Sequence, residues 1–141
     1  MQPLNLPEFD INVRDHEVFC LVRKKWVALT PEEWVRQHFI NLMIVHLQYP
    51  GGLMKLEHTM KYFKNVKRSD VTVLDREAGI FMLVECKAPT VKIDQKVINQ
   101  ISEYNKVLGA KYISVSNGIR HFIWKKSEEK YTQLKEFPSF L

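Results

Sequence analysis

Apolar residues recur along the chain with two periods, one of two residues and one close to 3.6, and the alternation between them sets the expected order of elements. Residues 17–22 and 26–29 are strand-like runs on either side of the basic Arg23-Lys24-Lys25, which predicts an N-terminal β-hairpin. Thr30, Pro31 and Glu33 then mark a helix start. They supply a hydroxyl cap, a proline at the first helical position, and an acid three residues on that can reach back to the cap's own N–H. Val35, Phe39, Leu42 and His46 keep helical spacing, with Trp34, Ile40, Met43 and Leu47 widening the face, until Tyr49-Pro50-Gly51-Gly52 ends it.

Residues 53–60 read as a strand, and residues 70–74 and 80–87 as two more, joined by a turn at 75–79 into a hairpin. Ala88-Pro89 stops the second of these. Asp94 caps a second helix with Val97, Ile101, Tyr104 and Leu108 on its apolar stripe and Gly109 just past its end. The runs 111–116 and 119–124 flank Asn117-Gly118, the pair preferred by a two-residue type I′ turn. Antiparallel strands with one crossover helix after the central strand predict an α/β fold, a mixed central sheet flanked by helices with the β-hairpin at its N-terminus. The expectation is one domain over residues 1–141, with an arm at 1–16, a core at 17–125 and a C-terminal tail at 126–141.

Composition narrows the classes without naming one. The chain has 141 residues, 45% hydrophobic and 26% charged, which excludes disordered and collagen-like readings. No run reaches the length of a membrane span, and the N-terminus lacks a basic start followed by an apolar stretch, so no membrane partner is expected. Cys20 and Cys86 lie in apolar segments without paired spacing. They read as reduced core residues of an intracellular, cytoplasmic protein, with no zinc site. The five histidines are scattered without ligand spacing.

Lys and Arg total 21 against 16 Asp and Glu, a net charge of +5 that acquires meaning only through position. Lys61, Lys64, Lys67 and Arg68 crowd the segment before Asp70, either as a solvated loop or as an edge that meets a polyanion.

The chemistry centres on the hairpin. With its turn symmetric about Glu77 and Ala78, Leu74 faces Phe81, Thr72 faces Leu83 and Asp70 faces Glu85, while Lys87 emerges on the same face as Glu85. Met82, Val84 and Cys86 point the other way. Opposed carboxylates repel unless a cation or shared proton relieves them. Hard oxygen donors so placed suit Mg²⁺ or Mn²⁺, and such an ion with Lys87 beside it suits phosphodiester hydrolysis. In the alternative, Asp70 caps a strand, Glu85 pairs with Lys87 or Arg68, and nothing is catalysed.

Asp70, fourteen residues, then Glu85-Cys86-Lys87 at the end of an apolar strand resembles the signature of the PD-(D/E)XK nuclease superfamily, with Ser69 standing where its name has Pro. The segments 30–37, 67–71, 84–89, 100–105 and 116–118, in that order, resemble the N-terminal nuclease domain of type I restriction enzyme R subunits over residues from about 13 to 125.

That resemblance implies a restriction-endonuclease-like core that cleaves DNA with Mg²⁺ or Mn²⁺. Asp70 and Glu85 would be metal ligands, the carbonyl of Cys86 would complete the shell, and Lys87 would be the catalytic lysine. Gln100 and Tyr104 match a Gln-x-x-x-Tyr motif of related nucleases, and Glu33, or equally Glu32, would be an acid near the metal. It also gives the segment from Lys61 to Arg68 a role on DNA phosphates. The chain has no Gly-x-x-x-x-Gly-Lys-(Ser/Thr), so motor or specificity subunits are expected as separate partners, and cutting both strands calls for a homodimer or sequential nicks. The rival expectation is a catalytically silent nucleic-acid-binding or assembly module of the same fold.

Overall fold

The computed structural model describes residues 2–58 and 69–140. Strands β1 (Val13–Arg14), β2 (Glu17–Phe19) and β3 (Trp26–Ala28) form a small antiparallel sheet, so the expected hairpin gains a third, two-residue strand from the arm. Helix α1 (Pro31–Asn41) follows, and its last turn widens into a π-turn at Leu42–His46. The central sheet comprises β4 (Met54–His58), β5 (Ser69–Leu74), β6 (Ile80–Cys86), β7 (Tyr112–Ser116), β8 (His121–Ser127) and β9 (Lys130–Leu134), in that spatial order. Helix α2 (Gln95–Leu108) links β6 to β7, which among the described residues is the one parallel pair of the sheet. The result is a mixed α/β architecture.

Period-two alternation sorts the core into two layers. Met82, Val84 and Cys86 of β6, with Val71 and Val73 of β5, pack against Val35, Phe39, Ile40 and Met43 from the first helical segment. Leu83 of β6, with Ile113 and Val115 of β7, packs against Ile101 of α2, where Val97, Tyr104 and Leu108 join it. A helix therefore covers each face of the sheet.

Both termini are tied down. Asn5 donates its N–H to the Gly118 carbonyl at 2.7 Å, the Trp34 indole donates to the Gln2 carbonyl at 3.0 Å, and Leu4 and Leu6 reach the core. Phe137 and Phe140 also pack there, and the Tyr49 hydroxyl donates to the Pro138 carbonyl at 2.6 Å. Residues expected as a C-terminal tail thus include an edge strand, β9, and two aromatic anchors. No helix among the described residues is long and apolar enough to cross a membrane.

Local signals held at both helix starts. The Glu33 N–H bonds the Thr30 hydroxyl at 3.0 Å, and the Val97 N–H bonds the Asp94 carboxylate at 3.1 Å. Gly109 closes α2 in the left-handed region at φ 70°.

Two turns differ from expectation. A bulge between Val73 and Leu74 pairs Leu74 with Ile80, not Phe81, because Ala78 takes φ 66° and the Asp75 carboxylate accepts the N–H groups of Glu77 and Gly79. The turn after β7 is shifted by one residue from Asn117-Gly118. The Asn117 N–H bonds the Arg120 carbonyl, leaving Gly118 and Ile119 as the central pair, and the Asn117 side chain accepts from Ile119 and Arg120.

Candidate active site

The hairpin register survives where it matters. Val71 pairs with Val84 and Thr72 with Leu83, and one further step sets Asp70 opposite Glu85. Asp70 sits next to the first residue of β5, Glu85 and Cys86 end β6, and Lys87 follows, its N–H held by the Ser116 carbonyl of β7 at 2.8 Å. The Lys87 ammonium lies 3.3 Å from the Glu85 carboxylate, and both side chains are about a fifth exposed, at 23% and 22%.

Asp70 is buried, and both its oxygens are engaged. Oδ2 accepts the Cys86 N–H at 2.6 Å, and Oδ1 accepts from Arg36 Nη2 at 3.0 Å. Cys86 thus meets Asp70 through its backbone while its side chain belongs to the core, where burial pushes the thiol well up and leaves no nucleophile.

The first two turns of α1 supply the rest. Arg36 Nη1 donates to Glu33 Oε1 at 2.7 Å and Nη2 to Glu32 Oε1 at 3.3 Å, so one guanidinium gathers three carboxylates from two elements. Glu33 does not reach back to the cap as a capping box requires. Its Oε1 also takes Arg23 Nη2 at 3.0 Å, and its Oε2 takes the Gln37 amide at 2.9 Å. Gln37 in turn accepts the Leu21 N–H at 3.0 Å, which fastens the β2–β3 loop to the helix.

The electrostatics follow from this crowding. Burial pushes the Asp70 carboxyl up, and the Arg36 charge, the Cys86 N–H and the Lys87 charge pull against it without reversing it. Burial and the Asp70 charge raise Glu32. For Arg36, burial alone would lower the guanidinium, but Asp70 and Glu33 outweigh it and hold the cation more firmly protonated. A cavity of about 580 Å³ borders this network, lined by Arg23, Thr30, Glu32, Glu33, Arg36 and Ala88 among others.

Asp70 and Glu85 are hard oxygen donors of the kind Mg²⁺ and Mn²⁺ take, and the site already assembles negative charge around a cation. In donor chemistry the two carboxylates fit such an ion, with Asp70 now spending its oxygens on Arg36 and the Cys86 N–H. Among the described residues, no group of three or more His, Cys, Asp or Glu is arranged to hold a metal by itself; the carboxylates here are drawn onto Arg36.

Residues 31–138 match the family described as the type I restriction enzyme R protein N terminus (HSDR_N). The chain belongs to that family. No curated protein matches it closely enough to count as a relative.

In this R-protein N-terminal domain, Gln100 and Tyr104 stand one turn apart on α2, which covers the sheet face that carries Leu83. Gln100 is exposed, and Tyr104 is half-buried against Leu83, Ile101 and Ile113. Lys61, Lys64, Lys67 and Arg68 lie outside the described residues. Sequence reasoning passed over Arg36 and Arg23. Their signal was the spacing of Arg36 three and four residues after Glu33 and Glu32, inside a stretch of α1 that is buried from Val35 to Asn41.

Proposed function

We propose that this domain is a PD-(D/E)XK nuclease that hydrolyses DNA phosphodiester bonds with the aid of a divalent metal. What supports it most is the β5–β6 register, which continued one step beyond Val71–Val84 sets Asp70 opposite Glu85, whose carboxylate pairs with Lys87 at 3.3 Å. Family membership supports a place in a restriction system, with DNA as substrate and motor or specificity subunits as partners; the homodimer belongs to the same proposal.

In this reading Asp70 and Glu85 would hold Mg²⁺ or Mn²⁺, with the Cys86 carbonyl as a backbone ligand. When bound, such an ion supplies charge neutralisation at the phosphoryl group and a more acidic water. Lys87, kept near by Glu85, orients the attacking water and offsets charge that develops on the phosphoryl oxygens. Gln100 and Tyr104 contact the DNA backbone or the site from α2. Glu33, committed to Arg23, Arg36 and Gln37, acts by positioning Arg36; Glu32, at 47% exposure, is the acid of the pair with freedom to turn toward the metal's water shell. Lys61, Lys64, Lys67 and Arg68, just before Asp70 in the chain, track phosphates.

The rival reading, a silent DNA-binding or assembly module, draws on Arg36 already satisfying Asp70. Incubation of supercoiled and linear DNA with purified protein and Mg²⁺ or Mn²⁺ separates the two. Cleavage lost in Asp70→Ala and Lys87→Ala supports the nuclease; salt-sensitive binding without cleavage under either ion supports the rival.

A further inference from the structure

We propose that Arg36 is a resident counter-ion of the candidate site: it stands in for a divalent cation at Asp70, yields that carboxylate when the metal enters, and then offers its guanidinium to a DNA phosphate in the adjoining cavity. The inference rests on the metal-dependent reading above.

Glu33 and Asp70, both largely buried, repel each other and the half-exposed Glu32, so the metal-free fold is stabilised by a cation among them. Arg36 meets that need with a side chain only 6% exposed. A guanidinium carries one charge and a divalent ion two, and both would draw on the Asp70 carboxylate. Two cations a few ångströms apart repel each other, so occupancy by one disfavours the other.

Arg36 need not be expelled to make room. Its Nη1 sits 2.7 Å from Glu33, a shorter contact than the 3.0 Å of Nη2 to Asp70, and Glu32 offers a further partner. Giving up Asp70 therefore leaves the guanidinium anchored through Nη1 to Glu33 and Nη2 to Glu32, and the half-exposed Glu32 can cede Nη2 to a phosphate. Arg23 and Arg36 both stand in the wall of the cavity of about 580 Å³, a volume in the range of small-molecule sites and so large enough to admit a nucleotide. A planar fork of donors matches a phosphate in two-point geometry. Arg36 is thus a positioning residue in the metal-free domain and a phosphate contact in the loaded one.

The test compares the wild type with Arg36→Met, Arg36→Lys, Arg23→Met and Asp70→Asn. Mn²⁺ binding is followed by electron paramagnetic resonance, and thermal unfolding is recorded with and without Mg²⁺. Arg36→Met is expected to bind Mn²⁺ at least fivefold more tightly than wild type and to gain more in melting temperature from Mg²⁺. Arg23→Met, which leaves the Asp70 contact in place, should gain no more than wild type. Should Arg36→Met fail to fold in chelator, recovery on refolding with Mg²⁺ supports the same conclusion. Failure to recover, with Arg36→Lys binding Mn²⁺ as wild type does, overturns it.

Unchanged Mn²⁺ affinity in Arg36→Met, with binding still lost in Asp70→Asn, also overturns the counter-ion role and leaves the metal site standing. Absence of Mn²⁺ binding in every variant removes both. With Ca²⁺ in place of Mg²⁺, Arg36→Met should bind duplex DNA several-fold more weakly, and equal binding removes the phosphate role.

Discussion

Arg36 Nη2 lies 3.0 Å from Asp70 Oδ1, joining the buried middle of α1 to the start of β5. Because the same carboxylate also accepts the Cys86 N–H, one side chain couples the helix, β5 and the end of β6.

Removing that carboxylate should therefore cost stability as well as activity. Asp70→Ala takes one of three carboxylates from Arg36 and removes the acceptor of the buried Cys86 N–H, a loss of about 1–3 kcal/mol for a buried polar group left unsatisfied. Asp70→Asn keeps an acceptor for Cys86 and should be closer to wild type in urea unfolding, yet equally inactive in DNA cleavage. Equal stability of the two variants would count against the coupling described.

Glu85 and Lys87 should behave in the opposite way. Their pair is partly solvated, so Glu85→Gln or Lys87→Ala should change stability by less than about 1 kcal/mol. Cleavage should nevertheless fall by about 10²-fold or more, the usual cost of losing a group that meets developing charge. Parallel melting curves and cleavage rates on the same preparations check this.

Stability should decline on mild acidification. Burial holds the His121 imidazole below its ordinary 6.5, against the contribution of the Asn5 carbonyl. Below pH 6.5 the unfolded chain binds a proton that the folded chain still refuses, so stability is present above that pH and is lost as pH falls toward the folded value. Melting temperatures at pH 7.5 and 5.5 should differ less for His121→Gln than for wild type. An identical drop would remove His121 from the account, leaving His38, which burial also lowers.

Gly118 is required and Gly52 is not. At Gly118 the backbone takes φ 87°, and an added Cβ would stand 2.7 Å from Leu4 Cδ2, whereas at Gly52 it would meet nothing within 4 Å. Gly118→Ala should cost about 1–3 kcal/mol, while Gly52→Ala stays near wild type in chemical denaturation.

What the sequence disclosed of this fold follows physical range. Period-two alternation and caps are local, so β5, β6 and the start and end of α2 were legible from residues 70–109 alone. Even the pairing of Thr72 with Leu83 followed from counting along a hairpin. The bulge after Val73 was not legible, because it depends on Ala78 adopting a conformation uncommon for alanine. Strand β9 was missed because Lys130-Tyr131-Thr132-Gln133-Leu134 lies at a sheet edge, where neither face is fully apolar.

At the site, Glu33 satisfied a capping pattern on paper, but arginines from two other turns of chain claimed its carboxylate. The claim of Arg23 is tertiary, while that of Arg36 is an i,i+3 pair on the same helix. Asn105 makes the same point away from the site: fully buried, it accepts the Ala110 N–H and donates to the Ala110 carbonyl, a clasp that no helical spacing announces.

The strand order carries a kinetic consequence. β4-β5-β6 and β7-β8-β9 are each antiparallel meanders of successive strands, and a single parallel seam between β6 and β7, bridged by α2, joins them. The longest loop closure in assembling the sheet therefore falls at that seam, so the two halves can zip independently before they dock. Asp70, Glu85 and Lys87 all come from the first half and its immediate edge, and the acid cluster need not wait for the second meander to begin forming.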